Sequence, residues 1–167
     1  GSKTAAFIGF KNFLRLFQDE VFLKSLAITL KYVLISVPLK LTFALLVAYL
    51  LTRPSRMVTF YRSLYYLPSL VGGSVAVALV WKQLFARKGL FNSVLANMDM
   101  STINWFGNQK LALYPLILMS VWQFGSSMII FAAGLKEIPV SYYEAARIDG
   151  ARGYQSFFRI TLPCLSP

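Results

Sequence analysis

Long apolar runs alternate with shorter polar stretches along the chain, at residues 26–52, 64–85 and 111–135. A helix needs about 20 mostly apolar residues to cross the hydrocarbon core of a bilayer. The second and third runs meet that length, and the first meets it if Lys40 is tolerated inside it. The pattern therefore predicts an all-α polytopic membrane protein with about three membrane spans.

Aromatic and basic residues are interleaved before the first run, at residues 5–24. Phe10, Phe13, Leu14 and Phe17 recur at the three- and four-residue spacing of one helix face. This combination is typical of a short amphipathic helix at a membrane interface. A helix packed against another part of an assembly is the alternative interpretation.

Lys40 is a candidate functional residue because it lies deep in the first apolar run. A charged side chain near the middle of a bilayer costs about 2.5–3.5 kcal/mol on insertion scales. Lys40 is therefore expected either to line a water-filled cavity or to extend its apolar stem towards an interface.

The second run contains Gly72, Gly73 and Ser74, with tyrosines near its start and Trp81 near its end. The aromatic residues are interpreted as anchors at the two membrane interfaces. The glycines are predicted to permit close helix packing, in preference to lining a solute pathway.

A polar stretch at residues 86–110 is predicted to be an extramembrane loop with a short helix. The third run has an unusually polar middle, residues 120–127. On an uninterrupted helix, Trp122 and Ser126 would share one face, and Gln123 and Ser127 the next. Hydrogen bonding to neighbouring helices is the favoured role, and a solute pathway is the alternative. The candidate pathway residues are Lys40, Trp122, Gln123, Ser126 and Ser127.

Composition supports the membrane assignment and narrows the chemistry. Hydrophobic residues make up 57% of the chain and charged residues only 14%, with a net charge of +11; soluble domains are about a quarter charged. Basic residues between apolar runs suit anionic lipid headgroups, so a lipid bilayer and not nucleic acid is the predicted partner. Nearly equal numbers of basic residues fall on the two sides of the spans, so the positive-inside rule does not orient the chain.

The sequence offers few residues that could form a catalytic site. The chain has no His and one Cys, and its six acidic residues all lie outside the apolar runs. Metal sites and proton relays within the membrane are therefore not expected. The sequence also has no G-x-x-x-x-G-K-[ST] loop to bind the phosphates of a nucleotide. The chain is predicted not to be an enzyme and to hold no cofactor, and energy for any uphill transport must come from another subunit.

The segment after the third run, residues 136–163, predicts two short helices outside the membrane. Ser141 and Glu144 fit a capping box at the start of the first helix, and Gly150 suits a left-handed turn at its end. The second helix is expected over Tyr154–Ile160, with Pro163 stopping it. An interfacial helix pair on lipid and a docking element for another protein both remain open on this basis.

The same segment resembles the EAA loop of the permease subunits of binding-protein-dependent ATP-binding-cassette (ABC) importers. The pattern E-A-A-x3-G-x9-I-x-L-P is met in full from Glu144 to Pro163. The chain also resembles the sugar-type branch, the relatives of maltose and glycerol-phosphate permeases, at Phe7–Phe13, Tyr65–Pro68, Trp81, Ile103–Gly107 and Gly134–Pro139. The resemblance thus covers nearly the whole chain.

The resemblance implies the transmembrane core of a type I ABC importer in the bacterial inner membrane, with a second permease subunit, two ABC ATPase subunits and an extracytoplasmic solute-binding protein as partners. It implies that residues 136–163 are cytoplasmic and dock on the ATPase through Ser141, Glu144, Ala145, Ala146, Asp149 and Gly150. Residues 86–110 are then extracytoplasmic. About six spans are implied, so further spans are expected before residue 1 and after residue 167, and residues 1–2 are interpreted as a cloning scar.

Other functions are less well supported by the sequence. An ion channel would need a filter sequence or a ring of charges, and a membrane-embedded enzyme would need catalytic groups; the sequence offers neither. Within the permease interpretation, the solute is a carbohydrate or a related small molecule, and a non-sugar solute such as a polyamine or phosphate is the alternative.

Overall fold

The computed structural model of the protein describes residues 9–52 and 57–165. Within these ranges all regular secondary structure is helical, which confirms the predicted all-α class. The chain divides into two compact units, residues 1–35 and residues 36–167. The presumed scar at residues 1–2, the start of the Phe7–Phe13 motif and the basic positions 53 and 56 lie outside the described residues.

The first two helices differ from the predicted division at residue 25. Helix α1 spans only Lys11–Leu16, and α2 runs without interruption over Glu20–Leu50. The carboxylate of Asp19 begins α2, since its Oδ1 accepts hydrogen bonds from the backbone N–H groups of Val21 at 2.8 Å and Phe22 at 3.3 Å. This is an N-cap. The 31-residue helix is about 46 Å long at 1.5 Å per residue, longer than the hydrocarbon core requires.

The second apolar run forms two helices with a sharp bend between them. Helix α3 spans Val58–Val71 and α4 spans Val75–Leu84, with a 98° angle at the break. The break coincides with Gly72 and Gly73, which are weak helix formers. Ser74 then starts the next helix, because its Oγ accepts a hydrogen bond from the Val77 N–H at 3.3 Å.

The third run is also divided. Helix α5, Leu90–Asn97, lies in the polar stretch before it, where a short helix is predicted. Helix α6 spans Leu113–Trp122 and α7 spans Gly125–Glu137, at an angle of 43°. Among the described residues, α2 alone is long and apolar enough to cross a membrane unaided. Up to three spans result if α3–α4 and α6–α7 each count as one.

The core of the second unit lies between the C-terminal half of α2 and α7. This buried cluster consists of Ala44 and Ala48 of α2, Leu51 just after it, Phe124 just before α7, Met128, Ala132 and Leu135 of α7, and Ile138 just after it. Phe43 adds an edge-to-face contact with Phe124, with ring centroids 4.8 Å apart.

The C-terminal segment forms four short helical elements in succession. Helix α8 spans Val140–Ile148 and α9 spans Gly153–Ser156. A π-helix, here called π1, follows over Phe157–Thr161 and leads into α10, Leu162–Cys164.

Two predictions for this segment are wrong. The capping box at Ser141 and Glu144 is not formed: α8 begins two residues earlier than predicted, its N-cap position is Pro139, and no side chain caps it. Ser141 is thereby already inside the first turn. Pro163 does not stop the second helix, because it lies in the first turn of α10, where a missing backbone N–H is tolerated.

Candidate functional site

Helix α8 presents an exposed outer face. Ser141, Glu144, Ala145 and Ile148 recur at i, i+3, i+4 and i+7 and are all exposed. Ile148 is 86% exposed, which is unusual for a large apolar side chain next to charged neighbours. No side chain caps the first turn of α8, so the carboxylate of Glu144 is not engaged there. The outer face thus combines an acid, a small residue and an exposed aliphatic side chain.

The inner face of α8 packs within the chain. Tyr143 and Ala146 are half-buried, and Tyr143 packs against the core between α2 and α7. The docking set predicted from the sequence is therefore divided. Ser141, Glu144 and Ala145 are on the exposed face, whereas Ala146 faces inward and does not belong to the outer surface.

Gly150 ends α8 in the way predicted from the sequence. Its φ is +73°, the left-handed conformation that glycine adopts without strain. The backbone N–H of Gly150 donates to the carbonyl of Arg147 at 3.1 Å, and that of Ala151 donates to the carbonyl of Ala146 at 2.8 Å. These two bonds are a Schellman motif. Asp149, just before the turn, is exposed.

A cavity of about 310 Å³ separates the end of α8 from α9 and π1. Two ionisable side chains, Asp149 and Arg159, stand among small and polar neighbours in its lining, which also includes Ala146, Gly150, Ala151, Gln155, Ser156 and Ile160. Ala146 and Gly150 thus border a concave surface beside the outer face of α8.

Two of the predicted pathway residues, Gln123 and Ser126, lie where the two bent helix pairs touch. Gln123 lies between α6 and α7, and its amide Nε2 donates to the carbonyl of Gly72, in the break between α3 and α4, at 3.3 Å. The hydroxyl of Ser69 donates to the carbonyl of Gln123 at 3.3 Å and accepts from the N–H of Ser126 at 3.1 Å. Ser69 therefore satisfies backbone groups that the break between α6 and α7 leaves without an intrahelical partner.

Two glycines permit this contact. A Cβ on Gly72 would collide with the side chain of Gln123, and one on Gly125 would lie 2.7 Å from the Cα of Tyr66. Gly73 differs, since nothing lies within 4 Å of its Cβ position. The predicted role of the glycines in close helix packing is confirmed for Gly72 and does not hold for Gly73.

The other predicted pathway residues are not part of this contact. Because α6 ends at Trp122, the expected sharing of one helix face with Ser126 does not apply. Trp122 packs instead against Trp81, with ring centroids 5.8 Å apart. Lys40, half-buried in α2, and Ser127, half-buried in α7, have no hydrogen bond to Gln123 or Ser126.

A fully buried side chain organises the polar stretch at residues 86–110. Asn92 is 1% exposed. Its Nδ2 donates to the carbonyls of Ala86 at 3.1 Å and Ile103 at 2.9 Å, and its Oδ1 accepts from the N–H of Ile103 at 2.9 Å. This one amide ties the stretch after α5 to the end of α4. Phe85 adds an edge-to-face contact with Trp105.

Sequence reasoning missed four residues that organise these sites. Ile148 could have been found from its position four residues after Glu144 on one helix. Ser69, Asn92 and Thr161 carry no such signal, because each has a partner 11 to 57 residues away in the chain.

Comparison with known proteins assigns the chain to a family. Residues 20–167 match the family described as binding-protein-dependent transport system inner membrane component. The chain is 51% identical to a probable ABC transporter permease protein of Bacillus subtilis, YesP, over 96% of the chain and 52% of that protein. It is 35% identical to the diacetylchitobiose uptake system permease protein NgcF of Streptomyces coelicolor, over 95% of the chain and 49% of that protein. The chain thus spans about half the length of these relatives.

The fold agrees with the same family. A crystal structure of a bacterial ABC transporter involved in the import of the acidic polysaccharide alginate superposes with a TM-score of 0.80, at 26% identity, over 97% of this chain and 58% of that one. The family match covers every helix from α2 onward, including the segment with the EAA pattern. This protein belongs to the binding-protein-dependent transport system inner membrane components, a family of transport subunits and not of enzymes.

Proposed function

We propose that the chain is part of a permease subunit of an ATP-driven importer for a carbohydrate or a related small solute. The transport role follows from the family. The solute class is supported by relatives described as permeases for diacetylchitobiose, lactose and sn-glycerol 3-phosphate, and by the likeness to the alginate importer.

The partners proposed are a second permease, two ABC ATPase subunits and an extracytoplasmic solute-binding protein. A related structure contains an alginate pentasaccharide-bound periplasmic protein in complex with the transporter. In this arrangement residues 136–163 are cytoplasmic, and the bent helix pairs form two of several spans in the bacterial inner membrane.

The outer face of α8 is the proposed docking surface for the ATPase. The observation that carries this role is the exposure of Glu144, Ala145 and Ile148 along one face, while Tyr143 and Ala146 hold the opposite face against the chain itself. Ala145 lets a partner approach the helix backbone. An exposed aliphatic residue beside a carboxylate suits a cleft that pairs an apolar pocket with a basic side chain.

The contact between the two helix breaks, where Ser69 and Gly72 meet Gln123 and Ser126, is proposed to form part of the wall of the solute pathway. Trp122 is 36% exposed and lies beside the break. Broken helices expose backbone polar groups at membrane depth, which is tolerated where they face protein or a water-filled cavity. A Trp ring and an exposed Ser126 hydroxyl would stack on and hydrogen-bond a sugar. Gln123 has a packing role through Gly72.

Co-purification of the ATPase with the complete permease pair in detergent tests the docking role. Glu144→Lys and Ile148→Asp are each expected to lower ATPase binding tenfold or more, since the most important interface residues contribute about 2 kcal/mol or more. Glu137→Lys is the matched control, because Glu137 is also exposed but lies at the end of α7. Normal ATPase binding by both α8 variants would refute docking through this face.

A further inference from the structure

A buried hydrogen bond joins α8 to π1 within the C-terminal segment. The Tyr143 hydroxyl on α8 and the Thr161 Oγ1 on π1 lie 2.9 Å apart. Thr161 is fully buried. Its hydroxyl also donates to the carbonyl of Ser156 at 3.4 Å, so the Tyr143 hydroxyl is the donor in a short chain of bonds that runs from α8 through Thr161 to the end of α9.

Apolar packing holds α8 and π1 against the same core, but it does not fix the position of one relative to the other. Tyr143 from α8, Ile160 from π1 and Leu165 after α10 all pack against the core between α2 and α7. Hydrophobic contacts are non-directional, so packed helices can shift by small amounts at little cost. A hydrogen bond has strict distance and angle requirements. The Tyr143–Thr161 bond is therefore the contact that defines the position of α8 relative to π1.

The place of Thr161 in the chain gives this bond its importance. Thr161 is the last residue of π1, and α10 begins at the next residue, Leu162. A π-turn inside a helical segment is rare and is often found at functional sites. Phe157, the first residue of π1, also contacts Tyr49 near the end of α2, with ring centroids 5.4 Å apart. π1 is thus held from α8 on one side and from α2 on the other.

We propose that the Tyr143–Thr161 hydrogen bond is a clamp that transmits a movement of α8 to the chain that continues from Leu162. The inference rests on the proposed docking of α8 on an ATPase. Tyr143 and Thr161 are positioning residues, since Tyr143 lies on the inner face of α8 and Thr161 is fully buried in π1. With the clamp closed, α8, π1 and α10 move as one body.

Three variants separate the clamp from simple packing. Thr161→Val removes the hydroxyl with little change in shape, and Tyr143→Phe removes the other partner. Thr161→Ser keeps the hydroxyl and is the conservative control. Loss of a hydrogen bond of this kind changes an equilibrium about threefold to tenfold. The double variant should be no worse than the single ones, since removing both partners leaves no unpaired buried hydroxyl.

Electron paramagnetic resonance between two spin labels tests the clamp in the complete transporter. Cys164 is exposed in α10 and supplies one labelling site. Tyr142→Cys supplies the second, on the flank of α8 and outside its outer face, with partner subunits free of cysteine. The probe is ATP plus vanadate, which requires no knowledge of the solute. The distance between the labels is compared with and without this addition.

In the wild type, the distance distribution should stay narrow and unchanged when ATP and vanadate are added. With Thr161→Val it should match the wild type without nucleotide, and then broaden or shift with nucleotide. Thr161→Ser should restore the wild-type behaviour. A purely structural role would change the distribution in both states or in neither. The dependence on nucleotide is therefore the decisive result.

An unchanged distribution in Thr161→Val with the ATPase still bound would overturn the clamp and leave the docking role intact. If Thr161→Val fails to assemble, Tyr143→Phe is measured in its place, and an unchanged distribution there has the same meaning. If the ATPase does not bind the wild type, or binds Glu144→Lys and Ile148→Asp equally well, the proposed function fails and the clamp fails with it.

Discussion

Gly125 brings α7 closer to α3 than a residue with a Cβ would allow, and Gly125→Ala tests the packing at the helix breaks directly. An ideal Cβ at this position would lie 2.7 Å from the Tyr66 Cα and 2.8 Å from the Ser69 Oγ, and it would also collide with the backbone carbonyl of Tyr65. Backbone atoms cannot rotate aside as the end of a side chain can. The alanine variant must therefore move α7 away from α3.

The expected loss of stability has two parts. Overpacking in a well-packed core costs about 1–3 kcal/mol. The shift also stretches the hydrogen bonds that Ser69 makes to Gln123 and Ser126, which are already 3.3 and 3.1 Å long, and each contributes about 1 kcal/mol net. We expect Gly125→Ala to lower the free energy of unfolding by about 2–4 kcal/mol.

Two other glycines serve as graded controls. Nothing lies within 4 Å of a Cβ on Gly73, so Gly73→Ala should change stability by about 0.5 kcal/mol or less. A Cβ on Gly134 would lie 3.0 Å from the Leu165 Cδ2, the end of a flexible side chain, so Gly134→Ala should be intermediate. Unfolding by sodium dodecyl sulfate in mixed micelles, followed by tryptophan fluorescence, measures all three. Equal stability of Gly125→Ala and Gly73→Ala would refute the close approach of α3 and α7.

Two further substitutions test single features of the fold. Asn92→Leu removes three hydrogen bonds, two of them to Ile103. Each backbone group that is left unpaired costs about 1–3 kcal/mol of stability. Proteolysis within residues 99–108 should therefore accelerate in this variant, but not in the exposed control Asn97→Leu. Gly150→Ala forces a Cβ into the left-handed region at φ +73° and should cost about 1–2 kcal/mol in thermal unfolding. Gly153→Ala, with an ordinary φ and no neighbour within 4 Å, should not.

The sequence predicted features that depend on local composition and spacing. Apolar runs long enough for membrane helices, the left-handed turn at Gly150 and the EAA pattern all follow from residues close together in the chain. The helix boundaries were predicted less well. Asp19 as the N-cap of α2 and Pro163 within α10 were missed, because a polar residue or a proline can begin, end or interrupt a helix, and only the neighbouring backbone shows which.

The helix breaks show the limit of sequence reasoning most clearly. Gly72 and Gly73 are equivalent in the sequence, yet only Gly72 is in contact with Gln123. The polar residues around Gln123 suggested either packing or a solute pathway. In the structure the Gln123 amide donates to the carbonyl of Gly72, 51 residues away, a contact that no local pattern could show.

Apolar runs suited to a membrane, an all-helical fold and the position of the segment with the EAA pattern were determined by the sequence itself, because transfer from water to lipid and helix capping act on residues within a few turns of one another. The faces of α8, the contact between the two helix breaks and the Tyr143–Thr161 hydrogen bond were decided only by the tertiary structure. These features depend on which distant helices meet, as α3 and α7 do at Gly125.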